Sequence, residues 1–239
     1  MNSILLAVII VVVIGLIVGI VLAVASVLMA VPVDEKAAEI QEQLPGANCG
    51  ACGFSGCSGY AAALSKGEAE LGLCSVGGQA VIDAIAPIIG AEAVASVPKT
   101  AVVHCNGNDD NTSKVTRYQG IQSCMAACEY GAIKVENGVA IVDPDVCKAC
   151  GKCVAACPKK LISIEPKKSR AIVKCSNCDK GALTRKACKV GCIGCMKCVK
   201  TCEHDAIKVD KFHAIVDPEK CVGCGKCAEQ CPQKIIFMA

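Results

Sequence analysis

The sequence predicts an α+β chain made of a single N-terminal transmembrane helix, a small four-cysteine module and two tandem cysteine-rich repeats. Three observations carry that prediction: an uncharged stretch from Ile4 to Val31, twenty-two cysteines in 239 residues, and a C-terminal half that repeats itself at an offset of 74 residues.

The uncharged stretch is almost entirely Ile, Val, Leu, Ala and Gly. At about 1.5 Å per residue, such a helix exceeds the roughly 30 Å hydrocarbon thickness of a bilayer. Residues 1–33 are therefore expected to form a single-pass membrane anchor. A signal peptide has a basic stretch before an apolar core of only about 7 to 15 residues, and no Lys or Arg precedes Lys36. Gly15 and Gly19 form a GxxxG spacing that suits a helix–helix contact, although glycine is common in spanning helices.

Residues 34–75 read as a separate module. Asp34 to Leu44 is a short polar helix stopped by Pro45-Gly46. Cys49, Cys52 and Cys57 follow in a glycine-rich CxxCx4C spacing, with Cys74 further on. Ser55 to Ser65 is expected to be helical, with Tyr60, Ala61 and Leu64 facing inward. Residues 76–104 read as a helical linker, with one apolar helix near Gln79 to Ile89 and a second short helix after Gly90.

Residues 105–174 and 175–239 read as two copies of one domain. Cys128-Glu129-Tyr130-Gly131-Ala132-Ile133-Lys134-Val135 matches Cys202-Glu203-His204-Asp205-Ala206-Ile207-Lys208-Val209. Ala140-Ile141-Val142-Asp143-Pro144 matches Ala214-Ile215-Val216-Asp217-Pro218 in the same way. Each copy is expected to hold a β-hairpin between cysteine runs, and Asn137-Gly138 is its turn signal in the first.

The cysteine spacing identifies the chemistry. Cys221, Cys224, Cys227 and Cys231 form CxxCxxCxxxC followed by Pro232; Cys192, Cys195, Cys198 and Cys202 form a second run; Cys147, Cys150, Cys153 and Cys157, followed by Pro158, form a third. This is the bacterial ferredoxin run, in which the fourth cysteine ligates the other 4Fe-4S cluster of a pair. Disulfide scaffolds are normally short, exported chains with scattered spacings. Zinc sites use separated CxxC pairs, and zinc remains the competing reading for Cys49, Cys52, Cys57 and Cys74 alone.

The crossover rule assigns Cys221, Cys224, Cys227 and Cys202 to one cluster and Cys192, Cys195, Cys198 and Cys231 to its partner. In the first copy, Cys147, Cys150, Cys153 and Cys128 make a complete set. Its partner set is short of two ligands, because Tyr118 and Ile121 stand where the offset expects cysteines. With Cys49, Cys52, Cys57 and Cys74, this makes four 4Fe-4S clusters. Cys105, Cys124, Cys157, Cys175, Cys178 and Cys188 remain: either some of them complete a fifth cluster, or that site was lost.

No Rieske centre is expected, since no paired Cys-His motif accompanies the three histidines. His204 and His213 are expected at the surface, and His104 at most hydrogen-bonds near Cys105. With three Phe, three Tyr and no Trp, the small domains have thin apolar cores, so cluster ligation is expected to support the fold as well as the redox chemistry.

A net charge of +3 does not argue for nucleic acid. Six basic residues from Lys159 to Lys174 (Lys159, Lys160, Lys167, Lys168, Arg170, Lys174) face one acid, Glu165, and Lys180, Arg185, Lys186 and Lys189 form a second group. Such runs are a solvated face or a surface that steers an acidic redox partner. No dinucleotide fingerprint, Walker loop, activated nucleophile or paired carboxylate site is present, so electron relay is expected rather than independent catalysis. Thiolates awaiting iron persist in the cytosol, and no twin-arginine signal offers export. The soluble part is therefore placed on the cytoplasmic side of the cell (inner) membrane.

The apolar helix, the Pro45-Gly46-Ala47-Asn48-Cys49-Gly50-Ala51-Cys52-Gly53-Phe54-Ser55-Gly56-Cys57 element, Val103-His104-Cys105-Asn106-Gly107 and the ferredoxin repeats together resemble the B subunit of the Rnf electron transport complex. The resemblance covers essentially the whole chain. It implies a component of an ion-translocating (Na⁺ or H⁺) ferredoxin:NAD⁺ oxidoreductase that takes electrons from soluble reduced ferredoxin. It would pass them toward other integral and flavin-bearing subunits, with Cys49, Cys52, Cys57 and Cys74 binding the membrane-proximal cluster. The chain departs from the family where Met125-Ala126-Ala127-Cys128 follows Cys124 at once, without the longer cysteine-containing stretch usual there. The alternative is a membrane-tethered polyferredoxin serving another redox enzyme without ion pumping.

Overall fold

The structure is a computed structural model that describes residues 2–28, 34–113, 123–168 and 170–238. Helix α1 (Asn2–Leu28) contains the window Ile9–Ser26, of mean hydropathy 3.2, with none of it buried. Among the described residues it is the one helix long and apolar enough to cross a membrane. Large aliphatic side chains exposed all round, from Ile9 to Val24, are what a lipid environment accommodates and water does not.

Three helices build the first module: α2 (Glu35–Gln43), α3 (Cys57–Ser65) and α4 (Gly78–Ile89). Asp34 starts α2 by accepting the Ala37 N–H at 3.2 Å, which satisfies one of the unpaired donors of a first helical turn. Its other carboxylate oxygen accepts from Ser65 Oγ at 2.6 Å, tying the start of α2 to the end of α3. Ile40, Tyr60, Ala61, Leu64 and Ile85 form one buried core, so α4 packs into this module and is not a linker. Gly90, left-handed at φ 73°, ends α4.

The second helix expected after Gly90 is absent, since residues 91–98 carry no regular structure. The Gln79 side chain accepts from the Ser96 N–H at 2.8 Å and donates to the Val94 carbonyl, holding this segment extended along α4. Val94 and Val97 are exposed, so a helix here would have no core to pack on.

The first repeat runs β1 (Lys99–Val103), α5 (Ser123–Ala126), β2 (Ile133–Glu136), β3 (Val139–Val142), α6 (Lys152–Ala156) and β4 (Ile162–Pro166). The second runs β5 (Ala171–Val173), α7 (Gly181–Ala187), α8 (Lys197–Thr201), β6 (Ile207–Asp210), β7 (His213–Val216), α9 (Lys226–Glu229) and β8 (Ile236–Met238). In each, the central strands form the expected hairpin: β2 with β3, and β6 with β7.

The outer strands move two boundaries. β1 pairs antiparallel with β4, from Lys99↔Pro166 to Val103↔Ile162, and β5 pairs with β8, from Ala171↔Met238 to Val173↔Ile236. Residues 99–104, read from sequence as the end of a linker, therefore open the first repeat. Residues 171–174, read as the end of the first repeat, open the second. Short strands satisfy their backbone groups only by pairing, and here first and last strand close each repeat on itself.

The two hairpins turn alike on unlike residues. Asn137 (φ 46°) and Gly138 (φ 77°) are both left-handed, and so are Lys211 (φ 43°) and Phe212 (φ 64°). The second copy keeps the turn without its favoured sequence.

Candidate iron–sulfur sites

Each ferredoxin run wraps around a point by reversing backbone hand on both sides of its middle cysteine. Ala149 (φ 51°) and Gly151 (φ 78°) flank Cys150, Gly194 (φ 65°) and Met196 (φ 59°) flank Cys195, and Gly223 (φ 73°) and Gly225 (φ 78°) flank Cys224. That two of these six positions are Ala149 and Met196 shows that the loop geometry is kept against residue preference. The helix that follows each loop buries the third cysteine: Cys153, Cys198 and Cys227 are all below a tenth exposed.

In the first module, Asn48 plays the organising part. Its Oδ1 accepts the Cys57 N–H at 2.8 Å. A Cβ on Gly56 would stand 2.8 Å from the same oxygen, at a φ of 147° that side chains rarely adopt.

Four small cavities are each lined by one predicted quartet. Cys49, Cys52, Cys57 and Cys74 line the first, beneath Tyr60. Cys128, Cys147, Cys150 and Cys153 line the second. Cys202, Cys221, Cys224 and Cys227 line the third, and Cys192, Cys195, Cys198 and Cys231 the fourth. Repeat-equivalent ion pairs clamp two of these sites: Lys152 to Glu129, and Lys226 Nζ to Glu203 Oε1 at 2.6 Å. Each joins the residue after a fourth cysteine to the loop that supplies the other three.

Backbone N–H groups point at the sulfurs. Ala101 N–H donates to Cys147 Sγ and Ala171 N–H to Cys221 Sγ, both at 3.4 Å. Burial, then the neighbouring sulfurs, pushes the Cys153 thiol up to about 11, and burial with Cys192 does the same for Cys198. Burial also raises Cys74, Cys192 and Cys227. Crowded, half-buried thiols of this kind resist ionising alone; an iron cube supplies the positive charge that makes four thiolates stable together, so the donor set fits that group.

The six other cysteines separate. Cys105, Cys124 and Cys157 line a cavity of about 120 Å³, against about 20 Å³ at the equivalent place in the second repeat. Tyr118 and Ile121, which the offset sets against Cys192 and Cys195, lie outside the described residues. Cys175 Sγ accepts the Cys192 N–H at 3.2 Å. Cys178 is exposed, its sulfur 3.9 Å from His213 Nδ1.

His204 is exposed and His213 partly so. His104 belongs to a polar network that sequence reasoning missed. Its Nδ1 lies 3.1 Å from the Val173 carbonyl, and its Nε2 lies 2.9 Å from Glu165 Oε1 and 2.7 Å from Ser163 Oγ. Glu165 also pairs with Arg170, which is only 2% exposed. Burial would raise Glu165, but hydrogen bonds from His104, Ser163 and Arg170 outweigh it and hold the carboxyl down at about 2. Burial would lower His104, but its hydrogen bonds to Glu165 and Val173 raise it. A carboxylate and a carbonyl only accept, so both ring nitrogens donate and the imidazolium fits the site.

This network corrects the reading of the basic run as one face. Arg170 is buried, Lys167 Nζ lies 3.7 Å from Asp145, and Lys174 Nζ sits 4.5 Å from the centre of the Phe237 ring. Lys160 and Lys168 remain exposed.

Family models match this chain at three places. A model for an Fe-S cluster (FeS) covers residues 44–76, a 4Fe-4S dicluster domain residues 191–235, and a 4Fe-4S binding domain residues 140–163. The chain is 40% identical to the B subunit of the Na(+)-translocating ferredoxin:NAD(+) oxidoreductase complex of Acetobacterium woodii, over 92% of this chain and 73% of that protein. It is 36% identical to the B subunit of the proton-translocating ferredoxin:NAD(+) oxidoreductase complex of Clostridium ljungdahlii, over 91% and 85%. With the B subunit of the ion-translocating oxidoreductase complex of Methanosarcina acetivorans it shares 34% identity, over 89% and 90%. Identity of 34% to 40% runs along most of this chain and most of each relative, and the chain belongs to the family of B subunits of ion-translocating oxidoreductase complexes.

Proposed function

We propose that this chain is the electron-relay subunit of a membrane-bound, ion-translocating ferredoxin:NAD⁺ oxidoreductase. The observation that carries the reading is the convergence of sixteen cysteines, in four quartets, on four separate cavities in a chain of this family. A 4Fe-4S cluster supplies reversible one-electron chemistry. The chain's own residues do the rest. Cys49, Cys52, Cys57 and Cys74 hold the cluster nearest the anchor. Cys128, Cys147, Cys150 and Cys153 hold that of the first repeat. Cys202, Cys221, Cys224 and Cys227, with Cys192, Cys195, Cys198 and Cys231, hold the pair in the second.

In the second repeat, Cys202 and Cys231 each leave their own run to close the opposite quartet, and α8 lines both sites, with Cys198 in one and Thr201 in the other. N–H groups such as that of Ala171 offset thiolate charge and tune the potential of the site they face. Soluble reduced ferredoxin is the donor in this reading, and integral and flavin-bearing subunits are the acceptors. Helix α1 crosses the cell membrane once and holds the repeats on its cytoplasmic side. The names of relatives include both Na⁺ and proton translocation, and the cysteine chemistry serves either.

The test is purification with the native membrane complex and assay of ferredoxin-dependent NAD⁺ reduction. Cys221→Ala should abolish it while the complex stays assembled. Full activity in an assembled complex that carries Cys221→Ala would sink the reading.

A further inference from the structure

The repeat extends further than the cysteine runs. Ala101-Val102-Val103-His104-Cys105 matches Ala171-Ile172-Val173-Lys174-Cys175 at an offset of 70 residues, so Cys105 and Cys175 end equivalent strands, β1 and β5. The structure sets these strand ends side by side. His104 Nδ1 bonds the Val173 carbonyl at 3.1 Å, and Ser176 Oγ donates to the His104 carbonyl at 3.3 Å.

A third cysteine is brought to the same place. The loop after Cys105 is pinned to the end of α7 by Ser113 N–H on the Ala187 carbonyl and Lys189 N–H on the Asn111 carbonyl, both 2.8 Å, with a bridge between Thr112 and Cys188. Gly107 lies between the sulfurs. A Cβ there would stand 3.4 Å from Cys188 Sγ, 3.6 Å from Cys105 Sγ and 2.7 Å from Thr112 Cγ2. The bare glycine lets both sulfurs approach the same backbone position. Burial and then the sulfurs of Cys105 and Cys175 raise the Cys188 thiol, in keeping with that placement.

We propose that Cys105, Cys175 and Cys188 form a fifth iron–sulfur site at the seam between the two ferredoxin repeats, with three protein thiolates and one iron corner free of them. The proposal rests on the relay reading above and assigns a subset of the cysteines it leaves over. Two features favour a cluster over a single zinc ion. Cys175 Sγ receives an N–H···S bond from Cys192, as Cys147 and Cys221 do from Ala101 and Ala171. Among the described residues, no three His, Cys, Asp or Glu side chains converge on a point where one ion could sit, whereas cluster ligands stand further apart.

The location has a purpose in a relay. The first repeat lacks two cysteines of its partner quartet, and a seam site next to Cys192 restores a station between the repeats. Cys178, on the same CxxC, is left out of the set because its sulfur turns to the Ser176 carbonyl and His213 instead.

The full chain, purified anaerobically in detergent, should be analysed for iron, labile sulfide and zinc, with electron paramagnetic resonance on reduced and oxidised samples. Cys105→Ala, Cys175→Ala and Cys188→Ala should each lose about one fifth of the iron and sulfide, with one resonance gone and the others kept, and Cys178→Ala should lose nothing. In the unmodified protein, native anaerobic alkylation should label Cys178 and spare the other three, which tests the site without any variant. Labelling of Cys105, Cys175 and Cys188 would overturn the proposal, as would a zinc ion lost with Cys188→Ala. So would loss of the same iron in Cys124→Ala and Cys157→Ala but not in Cys188→Ala. These results would leave the four-cluster relay standing; zinc throughout the chain in place of iron would remove the relay itself.

Discussion

His104, at the end of the first strand of one ferredoxin repeat, donates through Nδ1 to the carbonyl of Val173 in the next repeat, 3.1 Å away. Its other nitrogen meets Glu165 at 2.9 Å, on the strand that closes the first repeat. One side chain thus joins three strands from two repeats. Replacing it with alanine takes one donor from a part-buried carboxylate that keeps Ser163 and Arg170, and the loss of a hydrogen bond to a charged group costs about 1 to 3 kcal/mol. His104→Ala should lower the denaturant midpoint of cluster-loaded protein accordingly; an unchanged midpoint would show that the contact is incidental.

Glu165 gives the fold a defined acid sensitivity. Its carboxyl is held at about 2 in the folded chain against an ordinary 4.5. A carboxylate lowered on folding adds stability that is complete above the unfolded value and is lost as pH falls from about 4.5 toward 2. Denaturant unfolding at matched iron content should show the gap between the unmodified protein and Glu165→Gln closing as pH falls through that window, and constant above it up to the range in which His104 loses its proton. A gap that widened on acidification would contradict the assignment.

The hairpin between β6 and β7 holds Lys211 and Phe212 in left-handed backbone, which costs side-chain-bearing residues about 1 to 2 kcal/mol each. The first repeat meets the same geometry with Asn137-Gly138. Substituting Lys211→Asn with Phe212→Gly should raise the melting temperature of the loaded protein, by the equivalent of about 1 kcal/mol after glycine's added chain entropy. A lower melting temperature would mean that Phe212 contributes more through packing than its backbone costs.

Gly56→Ala tests the first module by itself. The added methyl meets Asn48 Oδ1 at 2.8 Å and displaces the group that orients Cys57. One cluster's iron should be lost, with the resonances of the ferredoxin repeats unchanged. Retention of full iron would show that the Asn48 contact is dispensable.

Reversing the exposed charges Lys160→Glu and Lys168→Glu should slow association with an acidic ferredoxin at low salt. The difference should shrink as salt screens it over the roughly 10 Å Debye length at 0.1 M. Arg170 is no part of such a surface, because Glu165 holds it inside the fold. Equal rates at all ionic strengths would place docking elsewhere.

Much of this was legible in the chain. The long apolar N-terminal helix, the helices around Ile40 and Tyr60, the hairpin at Asn137-Gly138 and the turns of the cysteine runs follow from local periodicity and spacing, because each depends on residues near in sequence. The boundaries near residues 104 and 174 did not, since β1 and β5 are recognised only through partners about sixty residues away or more. The offset of 70 that aligns Cys105 with Cys175 was available as a signal, hidden by the four-residue difference from the main repeat.

By itself the sequence determined the kinds of atoms that do the chemistry: sulfur at short, repeated intervals, and an apolar segment of membrane length. Only the tertiary structure decided which strands close each repeat, that Arg170 and Glu165 face inward, and that Cys188 stands with Cys105 and Cys175 while Cys178 turns to solvent. The reason is physical. Short-interval spacing constrains a loop almost completely, whereas contacts between distant segments depend on which backbone groups and charges find partners once the whole chain has folded.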